Sequence, residues 1–403
     1  MIQNQSIVCV SYTTWAGDFV KSTVQLMSYL ALYNQVLFCE YPFTIKDVFS
    51  GMMGNRVIPV RKILGLQPRI SYSESITGAK VWLFNPPPVL PFSFLTGDRR
   101  FYQALKFNSS IISRSLHKSI QSAGLTNPVV VNAFNPFAGL NMIGKLGESA
   151  HIYYCYDAIN DSRNKGRGLE VENKFCSLVD GVITTSDELF LTKSKINSNT
   201  YLVKNGVEFE LFNKIVDLQK PILNKRKKIG FIGSIDFRFD IDLFSWLAEQ
   251  LPGYDFLVVG RNANEDAYQK LAKMKNVTLQ KPVKPEEVPQ IMYSCDAGLI
   301  PLTQIPINRN VYPMKINEYL SVGLPVVRTN FADLPEFDHV VSTAGTKEEF
   351  LTKLVYEVEN DSITKKQHRI DVARNNSWAS RAEEFSNAIV KILDSKSKKS
   401  SKK

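Results

Sequence analysis

The chain has 403 residues, of which 44% are hydrophobic, and a formal net charge of +10. This length exceeds the roughly 250–300 residues over which a single hydrophobic core keeps growing, so two domains are expected. The composition is that of a folded globular protein and excludes a largely disordered chain, and no apolar run is long enough to predict a membrane-spanning helix.

The N-terminus and the cysteines favour a cytoplasmic protein. The first residues, MIQNQSIVCVSYTT, lack the basic start and the long apolar stretch of a signal peptide. The five cysteines are scattered and form no CxxC pair, which is typical of reduced, buried thiols rather than of a metal or redox site. We therefore expect a cytoplasmic location and no bound metal.

Strands and helices alternate through the first half of the chain. Short β-rich apolar runs predict strands at residues 7–11, 36–40, 81–85, 129–132, 152–156 and 182–185. Segments with helical spacing lie between them at residues 19–33, 101–123 and 168–178. This alternation is typical of βαβ units, so the first half predicts a parallel sheet.

A second series of the same kind follows the basic run KRKK at residues 225–228. It predicts strands at residues 229–232, 256–259, 277–279, 297–300 and 325–327, and helices at 242–251, 263–274, 285–293 and 314–322. A last helix is predicted at residues 377–393, before five lysines in the final eight residues. The sequence therefore predicts an α/β fold with two Rossmann-like domains.

The motifs that are missing exclude several classes of enzyme. The loop after the first strand, SYTTWAGD, contains no GxGxxG, which argues against a dinucleotide-binding oxidoreductase. No GxxxxGK[ST] motif is present, which excludes a P-loop NTPase, and no HExxH motif indicates a zinc protease.

A strand-end glycine turn in the second domain carries groups suited to an anion. Residues 230–234 (GFIGS) place Gly233 and Ser234 where backbone amides can approach an anion closely, and Arg238 follows within reach. Ligands of open α/β sheets bind at the carboxyl ends of the strands. A glycine that only makes a turn is the alternative interpretation.

The most informative segment is residues 313–329, PMKINEYLSVGLPVVRT. Pro313 lies where a helix is expected to begin, Lys315 lies in its first turn, and Glu318 follows one turn later on the same face. A first-turn lysine opposes the helix dipole, which makes sense where it serves a phosphate at that end. Glu318 is suited to accept hydrogen bonds from two ribose hydroxyls. The alternative is an ordinary surface ion pair.

The segment KINEYLSVGLPVV resembles the donor-site motif of GT-B glycosyltransferases, particularly those of family 4, in the form PxKxxEYLAxGxPVV. Other segments resemble the same family in the same order, closely in the second domain and loosely in the first. They are residues 154–161 (YCYDAIND), 177–186 (SLVDGVITTS), 204–207 (KNGV), 230–234, 259–261, 276–283 and 296–301.

This resemblance implies a GT-B fold, in which two Rossmann-like domains face each other across a cleft. We expect an acceptor-binding domain at residues 1–210 and a nucleotide-sugar-binding domain at residues 211–375. Residues 376–395 are expected to form a helix that packs back on the first domain, and residues 396–403 a basic tail.

The resemblance also implies a nucleotide-sugar donor, with UDP favoured over GDP, held by the second domain. Glu318 is expected to bind the ribose, Arg238 and Lys315 to neutralise the diphosphate, and backbone near Val283 to meet the base. Asn205, Gly233 and Ser234 complete the expected donor site. Enzymes of this family retain the anomeric configuration and need no metal, so stabilising the leaving diphosphate is the main catalytic task.

One position departs from the family. Its usual pair of glutamates, spaced Ex7E, is incomplete, because Glu318 matches the second and Asn310 stands at the first. Asn310 or Arg309 then contacts the donor sugar instead, or the sugar differs. A sugar-nucleotide epimerase of the same fold and a non-catalytic scaffold subunit are the alternative functions.

The acceptor-activating residue is less readable from the sequence. Asp18, in the loop after the first strand, and Asp157, at the end of another first-domain strand, are candidates to orient or deprotonate a hydroxyl. Helix capping is the alternative role for each. His117 and His151 are further ionisable candidates.

The first domain carries a basic and apolar stretch that fits an anionic membrane. Residues 46–120 hold eleven basic and three acidic residues, and residues 82–95 (WLFNPPPVLPFSFL) are unusually apolar, with Arg99 and Arg100 next to them. We therefore expect peripheral docking on the inner face of the cell membrane, a glycan or lipid-linked acceptor in surface polysaccharide or glycolipid synthesis, and no nucleic-acid partner. A long, well-packed loop is the alternative.

Overall fold

The computed structural model describes residues 1–17, 21–159, 166–218 and 226–400. They divide into two compact units. The first comprises Met1–Lys204 together with Arg381–Lys403, and the second comprises Asn205–Ser380. Each unit has its own sheet with helices around it, which confirms the α/β prediction.

The described part of the first unit contains an eight-stranded sheet in the order β3-β4-β2-β1-β5-β6-β7-β8. All neighbouring strands are parallel except β3, which runs antiparallel to β4 at the edge of the sheet. The strands are β1 Ser6–Ser11, β2 Gln35–Cys39, β3 Ile70–Glu74, β4 Lys80–Phe84, β5 Val129–Ala133, β6 Ala150–Cys155, β7 Gly181–Thr184 and β8 Thr200–Leu202.

In the described residues of the first unit, seven helices connect these strands. They are α1 Ser22–Leu30, α2 Ile45–Met52, α3 Val60–Ile63, α4 Asp98–Ser122, α5 Pro136–Gly139, α6 Arg167–Leu178 and α7 Asp187–Ser194. The central strands β5 and β6 are buried along their whole length. Parallel strands covered by helices on both faces read as continuous apolar runs, which is why the sequence locates them well.

As far as the structure describes it, the second unit contains a six-stranded sheet in the order β11-β10-β9-β12-β13-β14, and every pair in it is parallel. Its strands are β9 Lys228–Ile232, β10 Asp255–Val259, β11 Val277–Gln280, β12 Ala297–Ile300, β13 Val326–Thr329 and β14 Ser342–Ala344. Its helices are α8 Phe209–Asn213, α9 Ile241–Gln250, α10 Glu265–Ala272, α11 Val288–Tyr293, α12 Met314–Ser321, α13 Lys347–Glu359 and α14 Ile363–Asn375.

The strand order of the second sheet reverses direction next to β9. From β9 the chain moves outward to β10 and β11, and then returns to the other side of β9 for β12, β13 and β14. The loops after β9 and β12 therefore leave the sheet on opposite sides. Such a reversal opens a crevice at the carboxyl ends of the two strands, where ligands of open α/β sheets bind.

The last helix, α15 Trp378–Ser400, contacts the first unit from Arg381 onward. Phe385 packs edge-to-face on Tyr154 with ring centroids 5.3 Å apart, and Lys396 pairs with Asp180 at 2.9 Å. A Cβ added at Gly181 would lie 2.5 Å from Ile392, so this helix and β7 are in close contact. Throughout the described ranges, each helix is too short or too polar to cross a bilayer.

Candidate functional site

The candidate site lies in the second unit, where the loops that follow β9 and β12 meet. The loop after β9 carries Gly233, Ser234 and Arg238, and the loop after β12 leads through residues 301–313 into α12. Antiparallel bridging between Phe239 and Leu302 joins the two loops. The sheet reversal therefore brings together the two segments that the sequence had marked separately.

The glycine loop after β9 is fixed to the loop after β10. The amide of Gly233 donates to the carbonyl of Val259 at 2.9 Å, and the amide of Ile235 donates to the carbonyl of Arg261 at 3.0 Å. A Cβ at Gly260 would lie 1.9 Å from the Gly233 carbonyl oxygen, so only glycine allows this approach. The result is a turn at the strand end that is hydrogen-bonded to the neighbouring loop, with Gly233 and Ser234 only partly buried.

Arg238 is held at the rim of this turn. Its guanidinium Nη2 lies 2.7 Å from Asp236 Oδ2, and its side chain remains 39% exposed. Its carbonyl accepts from the amide of Thr303 at 2.7 Å, which ties it to the loop after β12. Arg238 is thus a partly exposed cation whose backbone is positioned by both loops.

Lys315 and Glu318 lie on α12, close to its start. Lys315 Nζ is 2.8 Å from Glu318 Oε2; the Glu318 side chain is only 10% exposed, whereas that of Lys315 is 36% exposed. The helix has neither a side-chain N-cap nor an acidic residue in its first turn. The pair thus joins a largely buried carboxylate to a partly exposed ammonium, in the first turns of a helix whose electropositive start has no side-chain cap.

A buried tyrosine sets the position of α12 against the sheet. The Tyr319 hydroxyl accepts from the amide of Ile232 at 2.9 Å and donates to the carbonyl of Gly230 at 3.4 Å. A Cβ at Gly298 would lie 2.7 Å from the Tyr319 ring, so glycine in β12 lets the helix pack closely. Tyr319 thus connects the helix of Lys315 directly to the strand that leads into the glycine loop.

The C-terminal end of α12 closes in a Schellman motif. The amide of Leu324 donates to the Tyr319 carbonyl at 3.0 Å and the amide of Gly323 donates to the Leu320 carbonyl at 2.9 Å. Gly323 has φ of +72°, which glycine adopts without strain. The GLP sequence therefore fixes where the helix ends and β13 begins.

The loop between β12 and α12 contains two asparagines that differ in burial and in hydrogen bonding. Asn310 is half-buried and its amide contacts the Ile307 carbonyl at 3.4 Å. Asn308 is fully buried, donates to the Thr303 carbonyl at 2.7 Å, and has an amide oxygen without a partner within the described ranges. Sequence reasoning singled out Asn310 and missed Asn308. Both are polar residues of one short 3₁₀ helix, Pro306–Asn310, so polarity alone does not mark Asn308.

Asn205 and Val283 also lie in the second unit. The Asn205 amide nitrogen donates to the Tyr312 carbonyl at 3.1 Å, which anchors the start of the unit to the residue just before α12. Val283 follows β11, is partly buried and packs against the apolar cluster that includes Ile316 and Tyr319. Asn205 therefore supports the loop that leads into α12, and Val283 lies beyond the end of β11.

The structure describes three of the four first-unit candidates. Asp18 lies outside the described residues. Asp157 follows β6, and its carboxylate accepts from the amide of Ala158 at 2.8 Å. His151 is the second residue of β6, at the amino edge of the sheet, and is fully buried against Glu148. His117 lies within α4 beside Gln121. His151 therefore lies at the opposite end of its strand from the edge where ligands bind.

A carboxyl group that sequence reasoning missed lies at the carboxyl edge of the first sheet. Glu40 directly follows β2, is 9% exposed, and accepts from the amide of Trp15 at 2.9 Å through Oε2. Burial raises the pKa of Glu40 to about 7, although the Trp15 amide and the nearby Lys21 and Lys62 lower it. Only the position of Glu40 at the end of the predicted strand 36–40 could have drawn attention to it.

Because the pKa of Glu40 is raised in the folded state, the free energy of unfolding is expected to decrease as the pH rises. The stability from protonated Glu40 is fully present below pH 4.5 and is lost as the pH rises through about 7. Glu40→Gln stays neutral, so we expect it to match the wild type at pH 4.5 and to be more stable by about 2–3 kcal/mol at pH 8. Urea unfolding at both pH values measures this, and a difference that does not change with pH would contradict it.

Comparison with known families matches residues 226–360 to the family described as Glycosyl transferases group 1. This range contains the glycine loop, Arg238, Lys315 and Glu318. The protein TuaH of Bacillus subtilis (strain 168), whose name assigns it provisionally to teichuronic acid biosynthesis as a glycosyltransferase, is 33% identical over 229 residues. That match covers 51% of this chain and 56% of TuaH, so the chain spans about half the length of this relative.

Solved structures resemble nearly the whole chain. An α,α-trehalose 6-phosphate synthase from Burkholderia multivorans matches with a TM-score of 0.66 at 10% identity, covering 99% of this chain and 100% of that one. HepE from Anabaena, in complex with UDP, matches with a TM-score of 0.64 at 11% identity, covering 96% and 100%. Residues 226–360 of the second unit thus match the Glycosyl transferases group 1 family, and the chain shares the two-domain GT-B fold with these solved structures.

Proposed function

We propose that the protein is a glycosyltransferase that transfers a sugar from a UDP-sugar, with retention of the anomeric configuration, to a glycan or lipid-linked acceptor. The observation that carries the donor half of this proposal is the Lys315–Glu318 pair at the start of α12, beside the glycine loop at the reversal of the second sheet. Retention rests on the resemblance to family 4 in the sequence around this pair.

The diphosphate of the donor would meet cations and backbone amides together. Lys315 and Arg238 are both partly exposed, and the uncapped N-terminus of α12 adds the positive end of a helix dipole. The Gly233 and Ile235 amides already donate to backbone carbonyls, so within the glycine turn the Ser234 amide would supply the further donor. Breaking the bond from sugar to UDP builds negative charge on the diphosphate, so preorganised cations lower the barrier of that step. We propose that these groups replace a metal ion.

The nucleoside would lie deeper along the same helix. Glu318 uses Oε2 for Lys315, and its Oε1 has no hydrogen-bond partner among the residues that the structure describes. An accessible carboxylate oxygen on a largely buried side chain suits a ribose hydroxyl. The base would then lie toward the end of β11, near the backbone of Val283. Asn310, or Asn308 behind it, would contact the donor sugar.

The comparisons support the choice of donor and pathway class. HepE was solved with UDP and with UDP-glucose, which favours UDP over GDP. TuaH is named for teichuronic acid biosynthesis, which favours an acceptor in surface polysaccharide assembly. We therefore propose a cytoplasmic enzyme that works at the inner face of the cell membrane.

Binding of UDP is the first test of this function. With UDP at about 100 times its dissociation constant, the native state gains about 2.7 kcal/mol, so the unfolding temperature is expected to rise by several degrees. A thermal-shift screen of UDP, GDP and their sugar conjugates measures it, with adenosine as the control. No shift with any of the sugar nucleotides would contradict the donor site.

A product assay separates the proposal from its alternatives. Incubation with UDP-glucose and a polyprenyl-phosphate sugar acceptor is expected to release UDP and extend the acceptor. Conversion of the sugar nucleotide to an isomer without acceptor would instead indicate an epimerase. Binding of UDP-glucose without release of UDP under any acceptor condition would indicate a scaffold subunit.

A further inference from the structure

The largest group of exposed apolar side chains in the first unit lies on α2, α3 and the turns after them. We call residues 45–66 the α2–α3 surface. Its exposed apolar residues are Ile45, Phe49, Met52, Met53, Val57, Leu64 and Leu66. Soluble proteins rarely concentrate so many large apolar side chains in one short stretch without a partner for them.

The exposed residues of α2 form a stripe with helical spacing. Ile45, Phe49, Met52 and Met53 follow each other at intervals of four, three and one residues, so they share one face. Val48 is the one buried side chain of this helix. The helix therefore turns most of its apolar surface away from the first unit, the reverse of the usual arrangement.

A small apolar cluster holds this surface in place. Phe43, Val48 and Ile63 are buried together, with Ile58 and Val60 packed against them. A Cβ at Gly51 would lie 2.7 Å from Ile58, so glycine allows α2 to pack closely on the following segment. Thr44 and Asp47 form a capping box at the start of the helix. The exposed stripe is therefore part of a folded element.

Basic residues lie within the α2–α3 surface and just after it in the chain. Residues 45–69 contain Lys46, Arg56, Arg61, Lys62 and Arg69 against a single acidic residue, Asp47, which pairs with Arg56. Apolar side chains on one helix face beside lysines and arginines are the pattern of segments that lie in the interface of an anionic bilayer. A second copy of the chain fits less well, because a symmetric contact would bring the two basic sets together.

The apolar proline-rich stretch that the sequence singled out packs largely inward. Phe84 and Val89 are buried, Phe92 contacts Phe101 with ring centroids 5.6 Å apart, and only Leu90 and Phe94 are markedly exposed among its large apolar residues. The stretch also pairs with the α2–α3 surface, because the amide of Ile45 donates to the Val89 carbonyl at 2.9 Å. The proline-rich stretch therefore packs inward and helps to hold the α2–α3 surface, whose apolar side chains face solvent.

We propose that the α2–α3 surface inserts its apolar stripe into the headgroup region of an anionic lipid bilayer while its basic residues contact the lipid phosphates. This assignment rests on the proposed location of the acceptor at a membrane. The surface follows β2 directly, at the carboxyl edge of the first sheet, where ligands of α/β sheets bind. A lipid-linked acceptor would thus reach the first unit from the bilayer that this surface occupies.

Flotation with liposomes of phosphatidylglycerol and phosphatidylcholine tests the proposal on the full-length protein. The wild type is expected to float with anionic vesicles at low salt and to be released by high salt or by vesicles of phosphatidylcholine alone. Phe49→Gln/Met52→Gln is expected to lower the bound fraction about tenfold, because two apolar side chains no longer insert. Leu178→Gln/Leu191→Gln removes two exposed leucines elsewhere in the first unit and is expected to bind like the wild type.

Three results would overturn the assignment. Equal binding of wild type and Phe49→Gln/Met52→Gln would place the membrane contact elsewhere. Absence of flotation by the wild type would show that the protein does not bind an anionic bilayer. A dimer in sedimentation that Phe49→Gln/Met52→Gln converts to a monomer, without flotation, would assign the surface to a second copy. UDP binding, measured in parallel, is expected to be the same in all variants, so a failure of the donor site is seen separately.

Discussion

Replacing Lys315 with alanine is expected to reduce sugar transfer by about 10²–10³-fold, the usual effect of removing one preorganised charge from a transition state. Lys315 lies at the uncapped start of α12, 2.8 Å from the buried carboxylate of Glu318. Without the ammonium, the leaving diphosphate loses a cation and Glu318 becomes an unpaired negative charge beside it. UDP binding is therefore expected to weaken as well, although the fold is retained because the side chain is partly exposed.

A matched lysine controls for the loss of a positive charge in general. Lys273 is the exposed C-cap of α10. Since α10 leads into β11, this residue lies toward the amino-terminal edge of the second sheet, away from the loops after β9 and β12. Lys273→Ala is expected to retain full transfer and full UDP affinity. Turnover by Lys315→Ala within threefold of Lys273→Ala would remove Lys315 from the proposed catalytic role.

Replacing Lys193 with methionine is expected to destabilise the protein by about 3–5 kcal/mol, the range seen when one partner of a buried ion pair is removed. Lys193 Nζ lies 2.5 Å from Glu172 Oε2, and both side chains are almost fully buried. Glu172 also accepts from the Tyr153 hydroxyl at 2.8 Å through Oε1. The variant leaves a buried carboxylate with only two neutral donors, the Tyr153 hydroxyl and the Cys155 thiol at 3.5 Å, which do not offset the cost of removing it from water.

Two further variants separate the buried charge from loss of packing. Lys195→Met alters an exposed lysine two residues along and is expected to change stability by less than about 0.5 kcal/mol. Adding Glu172→Gln to Lys193→Met removes the unpaired charge and is expected to restore part of the loss. Urea unfolding followed by circular dichroism measures all three. If Lys193→Met costs less than 1 kcal/mol, the pair does not contribute as proposed.

Much of the fold was predictable from the sequence because the central strands are continuous apolar runs. Residues 129–132 and 152–156 were predicted as strands, and β5 and β6 cover them almost completely. The strands that were missed are short or partly exposed edge strands. In β3, no residue is fully buried, and its antiparallel pairing with β4 also departs from the predicted all-parallel sheet. An exposed edge strand has no apolar run to reveal it.

The candidate site was predictable where its contacts are local and not where they are distant. Lys315 and Glu318 are three residues apart on one helix, so their pairing follows from helical geometry. The bond between Tyr319 and the Ile232 amide joins residues 87 apart, and the bond between Glu40 and the Trp15 amide joins residues 25 apart. Such contacts depend on how the sheet folds, which local spacing does not reveal.

The proline-rich stretch shows the same limit for surfaces. Apolar residues near Arg99 and Arg100 fit both a membrane contact and a packed loop, because composition does not say which way a side chain points. The structure turns Phe84 and Val89 inward and leaves Phe49 and Met52 of α2 outward. Helical spacing in α2 would have predicted an amphipathic helix, but only the fold decides which face meets solvent.

The central claim is that UDP binds at the reversal of the second sheet, between the loops after β9 and β12. Amide hydrogen exchange of the full-length protein with and without saturating UDP tests it most directly. We expect slower exchange in residues 230–238 and 301–318, and unchanged exchange in the α2–α3 surface. Protection confined to other segments, with these two unchanged while UDP is bound, would contradict the claim.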